Sequence, residues 1–546
     1  MMNNYSTTET QSFLSMSTLK KQAIGLSLLA VFNLNVSQSV AKEAKITDSL
    51  LETFEATVEA AMQTYGVPGA AIAIVEGDEI VYVNGFGWRN VENAEPVTPD
   101  TRFLTGSIGK SMTSMMVAAL VDEGLLDWKQ PVVEIWPFFT LPTQELTQNI
   151  QVRHLMQFNA GLGEDLIKGF YDTKIGSFSA EDQLDSLVGL PVVAELGKTF
   201  TPNSNVFAAA GFIAALAEDE AAYGDLFNRY EQLMQERLFN PIGMDSALLN
   251  VDLPTVGGDY ATGYAFNMVT NTLEPLQASN NQSYQGYAPS GAVSAHVKDM
   301  ARYVITQLNK GIAADGTRVV SVKNLRKTQQ PKTEIVDSIV FSTVYPLAQS
   351  IHYGTGWVIV EQPNGVKVIG HSGGMEGFVS DMAFIPDADV GIAILTNRNF
   401  FDGFLSGTNF IGVVRDSLFE LIYNLEPTVA QQRAEQYQQA ITQLAILQAI
   451  TQATFTPDIV APYLGNYQNG WRVELRDDGT LWVVLQDAHE YQLVLLPDGT
   501  FMVSNNALLG TGIIFSVSDN GIIAMTVATT SLTTSAVVTD TVIKLD

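Results

Sequence analysis

The chain predicts an α+β domain, an antiparallel sheet flanked by helices with a helical subdomain, followed by a small all-β barrel-like domain. Three observations carry this. Strand-like stretches lie at both ends of residues 42–425 with helical patterns between them, which suggests one sheet assembled from distant parts of the chain. An apolar helix opening at Ser107-Ile108-Gly109-Lys110 follows the first strands. In 456–546, apolar and polar residues alternate between Asp-Gly turns.

Taken in order, residues 1–41 read as an N-terminal extension and export signal. Lys20-Lys21 precede the apolar run 23–34, Ser39-Val40-Ala41 offers a small-residue cleavage site, and Met16 is an alternative start. The run is too short to span a bilayer, so no stable membrane span is expected after cleavage. A helix at 46–65 leads into strands 70–75 and 80–84, joined at Glu76-Gly77-Asp78. The helix after Ser107 presents Ile108, Met112, Met115, Met116, Ala119 and Leu120 for burial and stops at Gly124. A mostly helical region runs to about 310. Strands are expected at 356–361, 366–370, 378–385 and 390–396, then a closing helix at 409–423. The Gln- and Ala-rich stretch 426–455 reads as a helical linker. Trp471, Val473 and Leu475 then alternate with Arg472, Glu474 and Arg476, and Asp477-Asp478-Gly479 and Pro497-Asp498-Gly499 turn the chain. This module carries no chemical constellation and reads as a lid or stabilising appendage.

Composition narrows the function. With 46% apolar and 16% charged residues the chain is globular, and a formal charge of -29 argues against nucleic acid and anionic membranes as partners. There is no cysteine, which excludes thiol catalysis and thiolate metal sites. His154, His296, His352, His371 and His489 stand at no metal-motif spacing, so neither a metal nor another cofactor is expected.

Ser107 and Lys110 make an S-x-x-K pattern at a helix start. Residues at i and i+3 share a face, so hydroxyl and amine would project together, and a lysine in its neutral form can take the serine proton. The pattern alone is weak, because Ser17-Thr18-Leu19-Lys20 repeats it inside the signal. A second stretch, Gly370-His371-Ser372-Gly373-Gly374, admits two readings. As G-x-S-x-G it would be a nucleophile elbow with Ser372 attacking, which requires a strand, a turn and then a helix. The residues after it alternate like a strand, and the other reading puts His371-Ser372-Gly373 on an edge strand lining a cleft.

PGAAIAIV from Pro68, FLTGSIGK from Phe103, YGTGW from Tyr353, HSGG from His371 and the strand ending Thr396-Asn397 together resemble the class C β-lactamase-like serine hydrolases. That family also includes penicillin-binding-protein-like D-alanyl-D-alanine carboxypeptidases, D-amino-acid peptidases and S-x-x-K esterases. The resemblance covers about 48–425, and the last module resembles the lipocalin-like domain behind some members. It implies Ser107 as the acylated nucleophile, Lys110 as its activator, His371 as a contact to substrate or developing charge, and an oxyanion site at the backbone of Ser107 and Gly373-Gly374. Asn205 matches the family asparagine, but Asn203 stands where the family has a tyrosine, and an amide cannot serve as a general base. Phe158-Asn159-Ala160-Gly161 replaces a common His-Thr-Ser-Gly. Lys110 then acts alone, or a phenol such as Tyr171 or Tyr287 reaches in, or hydrolysis is impaired. Replacing Asn203 by tyrosine is the change the resemblance suggests for restoring a phenol. The implied protein is an exported, periplasmic or secreted hydrolase of small-molecule or peptide amides; an esterase and a non-catalytic binding protein are the alternatives.

Overall fold

A computed structural model describes residues 46–163, 178–279, 281–336, 345, 348–399, 407–485, 489–505, 512–518, 521–530 and 537–545. The chain divides into two units, Met1–Lys42 and Glu43–Asp546, and everything described belongs to the second. The export-signal residues and Tyr171 lie outside the described residues.

The first helix, α1 (Asp48–Tyr65), starts where the Thr47 side chain accepts the Leu50 N–H and ends at Gly66, whose φ of 61° closes it. Phe54, Val58, Ala61 and Tyr65 recur at helical spacing and are buried. Strands β1 (Gly69–Glu76) and β2 (Glu79–Asn90) then form a hairpin, with Gly77 at φ 64° in the tight turn. The helix after Ser107 begins as a 3₁₀ turn, Gly106–Ile108, and continues as α2 (Gly109–Glu123). Every residue from Gly109 to Leu120 is buried, which marks a helix enclosed on all sides, and Gly124 caps it at φ 79°.

Four strands return late in the chain, β3 (Val358–Glu361), β4 (Lys367–Met375), β5 (Phe378–Ile385) and β6 (Val390–Thr396). They join β1 and β2 in one antiparallel sheet ordered Glu95–Pro96, β2, β1, β6, β5, β4, β3, Ser350–Tyr353, Thr333–Glu334. The expected sheet built from both ends of the domain is therefore present. β1, β5 and β6 are buried along nearly their whole length, which requires cover on both faces. Gly391 meets Val304 of the helix Val297–Leu308, while Asp381 meets Arg415 of α4 (Thr408–Ile422). Phe384 pairs with Gly391 and Asp381 with Ile394, so these two contacts lie on opposite faces.

The linker is a helix, α5 (Val429–Ile450). Beyond it an eight-stranded antiparallel meander runs from Gly465–Tyr467 to Val537–Ile543. A bridge between Tyr467 and Lys544 brings its first and last strands together, making a nearly closed barrel. Both expected turns are hairpins: Gly479 and Gly499 take φ of 82° and 87°, and Asp478 and Asp498 accept from the N–H two residues on. The barrel touches the first domain where Met268 donates its N–H to the Ser504 carbonyl and packs with Val494 and Met502. Among the described residues, no helix is long and apolar enough to cross a membrane.

Candidate active site

Ser107 is delivered by a short strand, Phe103–Leu104, paired with Val293–Ala295. The Thr105 N–H and hydroxyl both reach the Val293 carbonyl at 2.9 Å. This pairing places the helix Ala288–Gly291 beside the S-x-x-K turn. Glycine is needed at the contacts. Gly106 has φ 52°, and a Cβ on it would stand 2.6 Å from the Gly374 nitrogen; a Cβ on Gly373 would stand 3.0 Å from the Ser107 nitrogen, and one on Gly291 3.3 Å from the same atom. The Ser107 turn is thus pressed, backbone to backbone, between Gly291 and the Gly373-Gly374 stretch. Ser380, opposite Gly373 on β5, pins it further by donating to the Thr105 carbonyl at 2.6 Å.

Lys110 is buried and its Nζ lies 2.9 Å from Ser107 Oγ and 3.0 Å from the Ser290 carbonyl, with the Phe207 ring centre at 5.7 Å. As an ammonium it donates across both contacts. As a neutral amine it accepts the serine proton across the first while still donating to Ser290. The i, i+3 expectation for this pair is met even though the turn is 3₁₀.

His371 is buried, and both ring nitrogens are engaged. Nδ1 lies 2.6 Å from the Ser372 carbonyl, which can only accept, so Nδ1 carries the proton; Nε2 then accepts from the Tyr353 hydroxyl at 3.2 Å. Burial, reinforced by the nearby Lys110 charge, pushes the imidazole down to about 3. The two hydrogen bonds and the lowered pKa both favour a neutral, fixed imidazole at His371. Tyr353 is fully buried and stacks on Phe158 with ring centres 4.3 Å apart; burial raises its phenol well above the ordinary range.

The Asn203 side chain is engaged with main-chain groups. Its Oδ1 accepts from the Val206 N–H at 3.0 Å and its Nδ2 donates to the Gly163 carbonyl at 2.8 Å, so it is the N-cap of α3 (Ser204–Glu218), and it is 1% exposed. Asn205 lies buried on the first turn of the same helix, its carbonyl accepting from Gln183, and Phe207, two residues on, has its ring facing Lys110. Tyr287 packs on Phe178 with ring centres 5.2 Å apart, just before the Ala288–Gly291 helix.

The HSGG strand, β4, is internal to the sheet, but His371 to Gly374 lie beyond the end of β3 and pair on one side only, so they form a local edge. Residues 367–370 of β4 pair with β3 on one side, 369–375 pair with β5 on the other, and 371–375 continue past the end of β3. After Met375 the chain turns directly into another strand, so the elbow geometry for Ser372 is absent. Its hydroxyl points to the other face and donates to Asp381.

Sequence reasoning missed Ser290, Gly291 and Phe207. Ser290 contributes a main-chain carbonyl, which any residue type carries, so no sequence signal marks it. Tyr353 was visible only as part of the YGTGW resemblance.

Comparison with known proteins fits this architecture. The family model described as Beta-lactamase matches residues 54–410. An unguisins hydrolase, ungD', of Aspergillus campestris is 25% identical over 66% of this chain, which spans 64% of that relative's length. Penicillin-binding protein 4 of Amycolatopsis lactamdurans is 26% identical over 65% of this chain and 86% of its own, and a beta-lactamase of Escherichia coli is 24% identical over 63% and 88%. The solved octameric penicillin-binding protein homologue from Pyrococcus abyssi shares the fold over 91% of this chain and all of its own, with a TM-score of 0.58 at 20% identity. The chain belongs to the beta-lactamase family of serine hydrolase folds, and the matched region contains the Ser107–Lys110 pair, its glycine cradle and the His371 strand.

Proposed function

We propose that this chain is an exported serine hydrolase that forms an acyl-enzyme on Ser107 and acts on amides, such as D-amino-acid peptides, peptidoglycan stems or β-lactams. The observation that carries the reading is the 2.9 Å contact between Lys110 Nζ and Ser107 Oγ, set in a wall of glycines that brings the Gly373-Gly374 main chain against the Ser107 nitrogen.

In this reading neutral Lys110 takes the Ser107 proton as Oγ bonds to the substrate carbonyl carbon. The carbonyl oxygen gains the electron pair, and the N–H groups of Ser107 and Gly374 stabilise it, usually the largest electrostatic contribution. When the tetrahedral species collapses, the C–N bond breaks and the departing nitrogen takes the proton held on Lys110. Water then attacks the ester carbonyl carbon as Lys110 accepts its proton, the C–Oγ bond breaks, and Lys110 returns the proton to Ser107 Oγ, releasing the acid. With Asn203 committed to its helix cap, no phenol is assigned to the step, and Lys110 serves as base and then acid.

That same commitment favours a second reading. An alcohol leaves with less help from protonation than an amine, so an S-x-x-K esterase fits a site without the family tyrosine. The export assignment rests on the signal-like residues 1–41 and on the family; the lipocalin likeness of the barrel rests on the resemblance alone.

The test is intact-mass analysis after exposure to a β-lactam or fluorophosphonate, followed by a panel of ester, D-peptide and β-lactam substrates. One adduct on Ser107 with D-peptide or β-lactam turnover is expected. An adduct with ester turnover alone would select the esterase, and no adduct with any probe would leave a non-catalytic binding protein.

A further inference from the structure

The rear of β4 carries a run of buried charges that the Ser107 chemistry does not use. Ser372 sits between His371 and Gly373, so strand alternation turns its side chain to the opposite face. There its Oγ donates to Asp381 Oδ1 at 2.6 Å, directly across from it on β5. Asp381 is fully buried and accepts from Arg415 Nη1 at 3.4 Å. Arg415, also fully buried, bonds Asp416 through Nε at 2.7 Å and Nη2 at 3.2 Å. Its guanidinium carbon lies 4.4 Å from the centre of the Tyr345 ring. Asp416 accepts from Arg433 Nη2 of α5 at 3.2 Å, and the chain makes room for that guanidinium: a Cβ on Gly412 would stand 2.5 Å from Arg433 Cζ.

Filling a core this way is costly, because apolar residues of like volume pack without desolvating charges. The two arginines and two aspartates balance, and each link is directional. At one end stands the helix that leads to the barrel. At the other stands the Ser372 peptide, whose carbonyl holds the His371 Nδ1 proton at 2.6 Å.

We infer that Ser372, Asp381, Arg415, Asp416 and Arg433 form a positioning relay that sets the Ser372 peptide, and through it the His371 ring and the Gly373-Gly374 main chain, so that α5 governs how fast Ser107 is acylated. The inference rests on the hydrolase reading above. None of the five side chains touches the reacting atoms.

Full-length variants are exposed to a β-lactam or fluorophosphonate probe and followed by intact mass against time. Ser372→Ala reaches full stoichiometry about tenfold more slowly at saturating probe, with the half-saturating concentration little changed, because a small misplacement of reacting groups costs up to about 100-fold in rate. Ser372→Thr, which keeps the hydroxyl, recovers most of that loss. At the far end, Asp416→Asn with Arg433→Met removes one charge of each sign and slows labelling several-fold, and adding Ser372→Ala slows it no further. If that pair does not fold, Gly412→Ala displaces the Arg433 guanidinium with all charges kept and is read in its place. Wild-type labelling rates in folded Ser372→Ala overturn the relay, and fully additive losses overturn the coupling to α5. A wild-type chain that takes up no probe overturns the hydrolase reading instead.

Discussion

The nine-stranded sheet and the C-terminal barrel solve the same packing problem in opposite ways. The sheet pairs β1 with β6, more than 300 residues later in the chain, and buries Asp381, Asn397, Arg398 and Arg415 among its apolar residues. The barrel is a meander of neighbouring strands around Tyr467, Trp471, Val473, Leu493, Phe501 and Met525. Long-range pairing leaves room for the helical insertion between β2 and β3, and the cleft chemistry sits where that insertion meets the sheet. Local pairing leaves no such seam. Polar burial is costly unless each group is bonded; the barrel buries the neutral Gln492, Ser504 and Asn505, whereas the sheet region buries the charged pair Asp381 and Arg415.

The largest test of this contrast is at the seam itself. Lys110→Arg keeps a cation beside Ser107 but cannot accept a proton, so acylation should fall about 100- to 10,000-fold, measured as the labelling rate at Ser107. Ordinary turnover in the arginine variant would make Lys110 a structural residue.

Cavities in the two cores come next. Leu493→Ala in the barrel and Leu395→Ala on β6 both empty fully buried sites, and each should cost about 2–5 kcal/mol in chemical denaturation. Leu395 lies opposite Ser380, which holds the Thr105 carbonyl, so only the sheet variant should also slow Ser107 labelling in the folded protein. Equal slowing by both would mean that the barrel is part of the cleft's support.

A smaller effect is expected at Asn203. Asn203→Ala removes an N-cap worth about 1 kcal/mol, and Asn203→Asp should retain most of it. The tyrosine replacement suggested by the family resemblance meets a 1% exposed site. It should lower the melting temperature without speeding amide hydrolysis, and faster hydrolysis would place a phenol within reach of Ser107 after all.

The finest distinction is in pH. Burial, aided by the Arg153 charge, pushes His154 down to about 4, and its Nδ1 accepts the Gln151 N–H that begins its helix. Below the ordinary value of 6.5 the unfolded chain binds protons that the native one refuses, so the contribution of His154 and His371 is full above 6.5 and is lost as pH falls towards 4 and 3 respectively. Glutamine can fill the same capping position without titrating. The melting temperature of His154→Gln should therefore fall less steeply than wild type between about pH 6.5 and 4, and parallel slopes would show that His154 is already free to charge in the native state.

Much of this molecule is legible in the chain alone. The S-x-x-K spacing, the glycine stop at Gly124, the Gly77 and Asp-Gly hairpins and the alternation in Trp471–Leu475 are local patterns, each governed by backbone geometry within a few residues, so the chain declares them directly. What a polar side chain bonds to is less legible. The cap from Asn203 to the Val206 N–H is a local pattern, while its bond to the Gly163 carbonyl, 40 residues away, exists only in the folded chain. The charge state of His371 likewise depends on packing, since burial and the nearby Lys110 disfavour its cation. The Ser290 carbonyl and the run from Ser372 to Arg433 have no sequence signature at all: one is a main-chain atom, and the other links residues 372, 381, 415, 416 and 433 through contacts that exist only once β4, β5, α4 and α5 have packed. Local geometry made the elements readable, and desolvation on packing decided which of their polar groups could carry charge.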